Sequence, residues 1–374
     1  MRDFPDEWSV ERSLAPLEAE WRTFEKTAVC TPFQHFDWVA NLLTSPPDAQ
    51  GAVFVLGRHK GILRAVFPLS LVDGSLTWLG ERWNNYNAPL IAPELFAALD
   101  QNGVDRMWAQ IRKTLGTVSV SLLRRQPSRL GLAPNPFSLW AMVREPTFAY
   151  ARTLGDDWES FYASLHSSGT RRGLARKRFR LAQEGRLESV RIEDPAGLYD
   201  HMLRMLEWKS AQVDAMGRRN CFARIESREL FARYAASHPD KIRVYALHLD
   251  NRPIAITFLL EGKRDLLLYQ MAYEDGPTAR YSPGRLLLND IMQAMIAEGY
   301  ELLDFSVGDD AYKREICDRI TCMTNSFAAH STVGVAIAMK YRAFTSLKGL
   351  IKANPPVYRA VLQANRLFRS LRTG

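Results

Sequence analysis

Ser282-Pro283-Gly284-Arg285 has residue types that suit an anionic ligand. It lies between an apolar, aromatic segment, Leu266–Tyr273, and a helical apolar repeat that ends at Gly299. Serine before proline predicts a helix N-terminus with Ser282 as its N-cap. Backbone amides at such a terminus bind anions. The segment therefore predicts an anion site, although Pro283 supplies no amide hydrogen.

A lysine-bearing turn, Gly308–Lys313, follows the next predicted strand, Leu302–Val307. A strand, loop, helix and strand of this length predict a right-handed crossover. This crossover would bring the helix N-terminus and the turn into one structural unit.

The elements that position this crossover occur twice along the chain. Each copy has helices ahead of a three-stranded antiparallel meander, then a loop, a helix and a strand. The first copy is predicted as helices over 6–28 and Gln34–Thr44, strands Ala52–Leu56, Ile62–Leu71 and Leu76–Leu79, helix Val104–Thr114 and strand Val118–Leu123. The second is predicted as helices Tyr199–Gly217 and Ser227–Ser237, strands Ile242–Leu247, Ile254–Leu260 and Leu266–Tyr273, helix 285–298 and strand 302–307.

The repeat predicts an α/β (α+β) fold of two tandem units, each a mixed, largely antiparallel sheet flanked by helices. We place the units at 1–150 and 151–330, followed by a basic helical tail at 331–374. One large mixed sheet without duplication is the alternative.

Composition indicates a globular protein of a reducing compartment. The 374 residues are 47% hydrophobic and include nine tryptophans, which excludes general disorder. The four cysteines are few and scattered, so neither a disulfide framework nor a zinc site is expected, and no metal is predicted. Neither a signal peptide nor a membrane span is visible, so we expect a cytoplasmic protein.

Positive charge is concentrated in two segments of the chain. Residues 331–374 hold eight of the 49 basic residues and no acidic one, which leaves 41 basic and 41 acidic residues in the first 330. This amphipathic tail predicts either docking on the protein with its cations outward or peripheral contact with an anionic membrane. A second basic helix, within Leu165–Arg186, could be a solvated face, a nucleic-acid patch or a positive rim near a phosphate-rich ligand.

Three motifs resemble the acetyltransferase domain of the cellulose-biosynthesis, CelD/BcsL-like family of the GNAT superfamily. They are WKSAQ (Trp208–Gln212), RYSPGRLLL (Arg280–Leu288) and DFSVGDDAYKRE (Asp304–Glu315), and the similarity covers about residues 160–315. This family resembles the Fem-type peptidyltransferases, which also carry two GNAT-like halves. The resemblance implies acetyl-coenzyme A or another acyl-coenzyme A as the co-substrate, with the site in the groove between the halves.

The resemblance also implies roles for individual residues. Arg280, Ser282, Gly284 and Arg285 would bind the donor pyrophosphate. Lys313 would stabilise the oxyanion or contact the donor, with Asp304 and Tyr281 as further catalytic candidates. The acceptor contacts would be Trp208, Lys209, Tyr86, Asn87, Tyr269, Asp309 and Tyr312. Competing structural roles are an N-cap for Asp309-Asp310 and strand packing for Tyr269.

The sequence therefore predicts a cytoplasmic acyltransferase that moves an acyl group, most simply acetyl, to an amine or hydroxyl of a sugar-derived or amino-acid acceptor. By family association it would serve exopolysaccharide or cellulose synthesis, with a peripheral link to the inner membrane left open. Two alternatives remain: Fem-like aminoacyl transfer from tRNA, the one case in which nucleic acid would be a partner, and a non-catalytic role in polysaccharide synthesis.

Overall fold

The computed structural model describes residues 3–373, and the side chains among them through residue 365. Contacts divide the chain into two compact units. Unit 1 comprises Met1–Ala149 and Thr321–Ala353, and unit 2 comprises Tyr150–Ile320 and Asn354–Gly374. Residues 321–353 thus belong to unit 1 although they follow most of unit 2 in the chain, and the boundaries given from the sequence, 150 and 330, stay predictions.

The strands, numbered in chain order, are β1 (Glu7–Glu11), β2 (Ala52–His59), β3 (Ile62–Val72), β4 (Ser75–Trp78), β5 (Leu90–Ile91), β6 (Val120–Pro127), β7 (Arg129–Leu130), β8 (Ala133–Pro134), β9 (Met142–Thr153), β10 (Leu187–Ile192), β11 (Ile242–Leu249), β12 (Arg252–Glu261), β13 (Asp265–Tyr273), β14 (Leu302–Val307) and β15 (Arg319–Ala329).

The helices are α1 (Glu18–Glu25), α2 (Phe36–Leu43), α3 (Pro46–Ala49), α4 (Pro93–Ala98), α5 (Gln101–Leu115), α6 (Trp158–Leu165), α7 (Ser168–Ala182), α8 (Pro195–Ala215), α9 (Ile225–Ser237), α10 (Pro283–Ala297), α11 (Ala311–Ile316), α12 (Thr332–Ala353) and α13 (Pro355–Thr373). Short 3-10 helices lie at Ala15–Leu17, Pro32–Gln34, Pro136–Leu139 and Pro277–Tyr281.

Both units share one order of elements, which confirms the predicted fold class. In unit 1, β1 pairs antiparallel with β2, the meander β2-β3-β4 follows, and β6 returns parallel to β4 after α5. In unit 2, β10 pairs antiparallel with β11, the meander β11-β12-β13 follows, and β14 returns parallel to β13 after α10. Each unit is thus a mixed sheet with helices before the meander and one crossover behind it.

The predicted helix over 6–28 is wrong at its start. Residues Glu7–Glu11 form strand β1, and the α-helix begins only at Glu18. Trp8 pairs with Gly57 and Val10 with Val55, so these two side chains share one face of a strand. Their spacing of two fits a strand better than a helix, but the deciding interaction is the pairing with β2, a distant segment.

A cluster of aromatic side chains fills the core of unit 1. The Trp108 ring stacks on Trp140 at 5.0 Å between centroids and meets Phe67 and Trp78 edge-on at 5.4 and 6.0 Å. Edge-on and offset rings are the favoured aromatic geometries. Because this core joins the meander to α5, the crossover of unit 1 is held by its own packing.

Helix α12 docks on unit 1 through both apolar contacts and inward-facing lysines. Lys348 pairs with Glu145, and Lys352 donates to the Pro146 carbonyl at 3.0 Å. Burial acts to raise the pKa of Glu145, but Lys348 and Asn325 outweigh it and hold that pKa below its ordinary value. The predicted docking geometry, with cations outward, is therefore wrong for these two lysines. Lys348 faces the protein because the buried Glu145 carboxylate needs a cation, and Lys352 faces it through its bond to the Pro146 carbonyl.

Gly334 allows α12 to begin close to β6. A Cβ at this position would lie 1.9 Å from the Ser119 carbonyl oxygen, far inside van der Waals contact. On the same helix, a Cβ at Gly349 would meet nothing nearer than Pro146 at 3.7 Å. Glycine is therefore required at the first position and not at the second.

We expect Gly334→Ala to destabilise unit 1 by about 1–3 kcal/mol, as overpacking does. Gly349→Ala is the matched control, and we expect it to be neutral or to stabilise by up to about 1 kcal/mol because alanine favours helix. Thermal and urea unfolding of both variants measures the difference. Equal stability of the two variants would contradict the close approach of α12.

Candidate active site

Strands β13 and β14 pair over a short stretch and then separate. The parallel register joins Asp265 with Leu302 and ends at Leu267 with Asp304. Both strands continue, β13 to Tyr273 and β14 to Val307. Their facing edges beyond the paired stretch need other hydrogen-bond partners, because buried backbone polar groups are rarely left unpaired.

A strained residue marks the point where β14 leaves its partner. Ser306 has a φ of 59°, in the left-handed region that costs an ordinary residue about 1–2 kcal/mol. The Asp304 carboxylate accepts a hydrogen bond from the Ser306 amide at 2.6 Å and so stabilises this turn of the backbone. In unit 1, β6 contains a comparable residue, Arg125, with a φ of 55°. Asp304 therefore has a local structural partner in addition to its predicted catalytic role.

Lys313 lies against the end of β14. Its ammonium donates to the carbonyls of Phe305 at 2.8 Å and Val307 at 3.1 Å, and the Asp310 carboxylate is 3.9 Å away. The side chain is 6% exposed, and this burial lowers the pKa of Lys313, while the negative charges of Asp310 and Asp304 oppose the shift. The structure thus holds one directed cation at the end of β14.

Helix α8 supplies the partners for the separated edge of β13. The Lys209 ammonium donates to the Met271 carbonyl at 3.3 Å, and the Gln212 amide donates to the Tyr273 carbonyl at 2.9 Å. Met271 and Tyr273 are two residues apart, so their carbonyls lie on the same edge of the strand. Lys209 and Gln212 are three residues apart on the helix, so they share a face.

Burial lowers the pKa of Lys209, and the positive charge of Lys313 lowers it further, whereas Asp310 raises it. Lys209 and Lys313 are therefore close enough for Lys313 to influence Lys209, and the negative charge of Asp310 opposes the downward shift of both pKa values. Each of the two strands thus accepts a hydrogen bond from a lysine whose pKa is depressed. Such shifts are typical of functional sites.

The start of α10 differs from the predicted geometry. Pro283 is the first helical residue, as expected, but Ser282 has a φ of 57° and its side chain makes no capping hydrogen bond. Instead, the Ser282 hydroxyl accepts from the Lys177 ammonium of α7 at 2.8 Å. The basic helix α7 thus delivers a cation to the N-terminus of α10, which favours the positive-rim interpretation of that helix.

Few backbone amides remain at this terminus for an anion. Pro283 has none, and the amides of Arg285 and Leu286 donate to the Ser282 carbonyl. Cations surround the terminus instead: Arg280 pairs with Glu184 at 2.7 Å and Arg285 with Glu315 at 3.2 Å. The residues fit a polyphosphate group through side-chain charge more than through backbone amides.

Two more features of the same loop concern the predicted residues Tyr281 and Gly284. The Tyr281 hydroxyl donates to Glu184, the carboxylate that also holds Arg280. A Cβ at Gly284 would make only ordinary contacts, the nearest at 3.5 Å to the Met271 sulfur. Thr278, also in this loop, is 4% exposed, and its hydroxyl has no hydrogen-bond partner among the described residues.

The other predicted acceptor contacts of unit 2 have different surroundings. Asp309 accepts from the Tyr150 hydroxyl at 2.8 Å and pairs with Arg314. Tyr269 is buried and meets Phe258 edge-on at 5.7 Å, which is the strand packing considered from the sequence. The last two predicted contacts are Trp208 and Tyr312. Both are half-buried, and they directly precede Lys209 and Lys313 in the chain.

Tyr86 and Asn87 belong to unit 1, where both are buried in the loop after β4. The Asn87 side chain donates to the Arg124 carbonyl at 3.0 Å, and its backbone amide donates to the Arg125 carbonyl at 2.9 Å. The loop after β4 therefore supplies hydrogen bonds to the β6 carbonyls of Arg124 and Arg125. The acceptor role of these two residues stays a prediction.

Sequence reasoning missed Lys177 and Gln212 as individual site residues. Lys177 appeared only as one of several cations in a basic helix, and nothing local connects it with Ser282, 105 residues further on. Gln212 carries a signal that could have been used, since it lies one helical turn after Lys209 within the WKSAQ motif.

Comparison with known proteins finds a family model that matches part of unit 2. Residues 168–314 match the family model described as Acetyltransferase (GNAT) domain. This segment carries a GNAT-type acyltransferase fold. A search of curated protein sequences gives no match. The match includes β13, α10, β14 and Lys313, so the separated strands lie inside the GNAT segment, whereas the narrower CelD/BcsL-like resemblance stays a prediction.

Solved structures with a similar fold align with more of the chain than this segment. FemX has a TM-score of 0.56 at 10% identity, covering 83% of this chain and 96% of that chain. L-PGS from Bacillus licheniformis has a TM-score of 0.55 at 10% identity, covering 88% and 98%. The C-terminal domain of a lysylphosphatidylglycerol synthetase from Agrobacterium fabrum has a TM-score of 0.54 at 13% identity, covering 88% and 95%. These identities are low, so the likeness concerns the fold.

The charge coupling at the site can be tested directly. Lys313→Met removes a neighbouring positive charge, so we expect the pKa of Lys209 to rise; Asp310→Asn removes a negative one, so we expect it to fall. Titration of carbon-13-labelled lysine side chains by NMR measures both shifts. Two shifts of the same sign, or none in either variant, would show that the three groups are not neighbours.

Proposed function

We propose that unit 2 transfers an acyl group, most simply acetyl, from acyl-coenzyme A to an amine. The observation that carries this proposal is the separation of β13 from β14, with one lysine hydrogen-bonded to the end of each strand. The match of residues 168–314 to a GNAT acetyltransferase domain supports acyl transfer as the reaction class. The donor thioester would enter between the two strands, with its phosphates at the start of α10.

Lys313 suits the stabilisation of negative charge. During attack by the amine on the thioester carbonyl, the carbonyl oxygen becomes an oxyanion, which a fixed cation stabilises. The two strand carbonyls orient the Lys313 ammonium before any ligand arrives. Because no large reorganisation is then required, its charge can act at the transition state more effectively than a mobile one.

Lys209 suits the removal of the acceptor's proton. The carbon–nitrogen bond forms, the carbon–sulfur bond breaks, and coenzyme A leaves as its thiolate. The amine proton must pass to a base, and a depressed pKa makes a neutral lysine amine available closer to neutral pH. In this scheme the proton moves to the Lys209 nitrogen and then to the leaving thiolate.

We expect Lys313→Ala to lower kcat by at least about a hundredfold, the typical effect of losing one oxyanion donor. Its circular-dichroism spectrum and acetyl-coenzyme A binding should be retained. Lys313→Arg, which keeps the charge, should recover part of the rate. Unchanged turnover in Lys313→Ala would remove this residue from the mechanism.

The donor phosphates provide a separate test. We expect Lys177→Ala to weaken acetyl-coenzyme A binding about tenfold, the equivalent of about 1.4 kcal/mol. It should leave binding of acetyl-pantetheine, which lacks the phosphates, unchanged. Arg172→Ala, an exposed cation on the same helix, is the matched control. Isothermal titration calorimetry distinguishes the cases, and equal losses for both ligands would contradict a phosphate contact.

Aminoacyl transfer from tRNA is the second candidate. The observation that favours it is the basic helix α7, whose Lys177 reaches the start of α10. A phosphate-rich donor larger than coenzyme A could use the other cations of this helix, and two of the similar folds are named as FemX and lysylphosphatidylglycerol synthetase. Steeply salt-dependent binding of aminoacyl-tRNA, with no heat from acetyl-coenzyme A, would favour this candidate.

The acceptor and the cellular setting are proposed from the motif resemblance alone. We propose a sugar-derived or amino-acid acceptor and a cytoplasmic role in polysaccharide synthesis. A non-catalytic role in such synthesis would be favoured if neither donor binds. A screen of amine acceptors with acetyl-coenzyme A, followed by mass spectrometry of the products, addresses the acceptor.

A further inference from the structure

The outward side of α12 is apolar, although its docked side is rich in polar contacts. The docked side packs on the strands of unit 1 through Ala338, Ile337 and Tyr341. Six large hydrophobic side chains on the helix are instead 48–70% exposed, namely Val333, Val335, Met339, Phe344, Leu347 and Leu350. We name these six residues the α12 face.

The α12 face forms one stripe along the helix. At 100° per residue, its members fall within about half of the circumference, opposite the buried positions Gly334, Ala338 and Thr345. Exposed Ala336 and Ala343 lie within the same stripe, and Lys340 is its one charged residue. Contiguous exposed apolar patches of this kind mark interaction surfaces.

Charge indicates which partner would cover the face. Residues 331–374 contain eight basic residues and no acidic one. A second copy of the chain would bring two such segments together, and their like charges would repel each other. An anionic lipid surface has the complementary property, because it offers an apolar layer beneath negatively charged headgroups.

Among the described residues, no helix has the length and hydrophobicity needed to cross a bilayer. Helix α12 has 22 residues and is about 33 Å long, so it can lie along a membrane surface over its whole length. The inward hydrogen bonds of Lys348 and Lys352 fix the rotation of the helix on unit 1. The apolar stripe is therefore presented outward by the fold and does not require the helix to unpack.

We propose that the α12 face binds the surface of an anionic membrane. Phe344, Leu347, Leu350 and their neighbours would enter the headgroup region, while Lys340 contacts lipid phosphates. This proposal goes beyond the acyl transfer of unit 2 and depends on none of its site residues.

Vesicle flotation with the full chain tests the proposal. We expect binding to vesicles of phosphatidylcholine with phosphatidylglycerol, weaker binding to phosphatidylcholine alone, and a decrease in high salt. The triple variant Met339→Gln, Phe344→Gln, Leu350→Gln should lose at least about tenfold in binding, the equivalent of about 1.4 kcal/mol. The matched control changes three equally exposed residues elsewhere, Ile62→Gln, Leu132→Gln and Ile320→Gln, and should bind as the parent does.

Three results would overturn the proposal: no vesicle binding by the parent, equal binding by the triple variant, or equal loss in the control. Analytical ultracentrifugation separates the competing partner. A concentration-dependent dimer that only the triple variant abolishes would assign the face to a second copy. In calorimetry, the triple variant should bind acetyl-coenzyme A as the parent does. A loss of vesicle binding can then be separated from a failure of the proposed acyltransferase site.

Discussion

The separated edges of β13 and β14 impose the main constraint on this protein. Strands that part leave carbonyl groups without a strand partner, and such groups bond to side chains or to water instead. In unit 2 the donors are side chains, since Lys209 and Gln212 serve β13 and Lys313 serves β14. Lys313 thereby brings a positive charge, and Lys209 an amine with a depressed pKa, to the ends of the strands between which we propose acyl transfer. Structural need and chemical capacity coincide in these residues.

The two units solve this constraint differently. In unit 1, the loop after β4 pairs with the free edge of β6 through Asn87, and the Arg125 guanidinium donates to the carbonyls of Glu81 and Asn84 in the same loop. In unit 2, the loop after β13 leaves that edge and leads into α10. A duplicated fold therefore has one copy whose edge is closed by its own backbone and another whose edge is lined by cations. This difference explains why the chemistry is proposed for unit 2.

Helix α12 illustrates how a buried carboxylate can decide the orientation of an amphipathic helix. A helix with apolar and basic sides would ordinarily turn its apolar side to the protein. Here Glu145 is largely buried and requires a cation, and Lys348 supplies it from the helix. Arg342 and Lys352 add hydrogen bonds to the carbonyls of Phe327 and Pro146. Part of the apolar side is consequently left outward, an arrangement that helical periodicity alone could not indicate.

The sequence by itself determined the duplicated order of elements, the two meanders, the crossover helix beginning at Pro283 and the GNAT character of the second half. These features depend on local periodicity, turn residues and contiguous motifs, which are written within short segments. Strand β1, the left-handed Ser306, the hydrogen bond from Lys177 to Ser282 and the rotation of α12 were decided only by the tertiary structure. Each depends on residues far apart in the chain, so its free energy comes from pairing and burial that no local pattern records. Lys313 stands between the two cases: its motif drew attention to it, but the carbonyls that direct its ammonium became visible only in the fold.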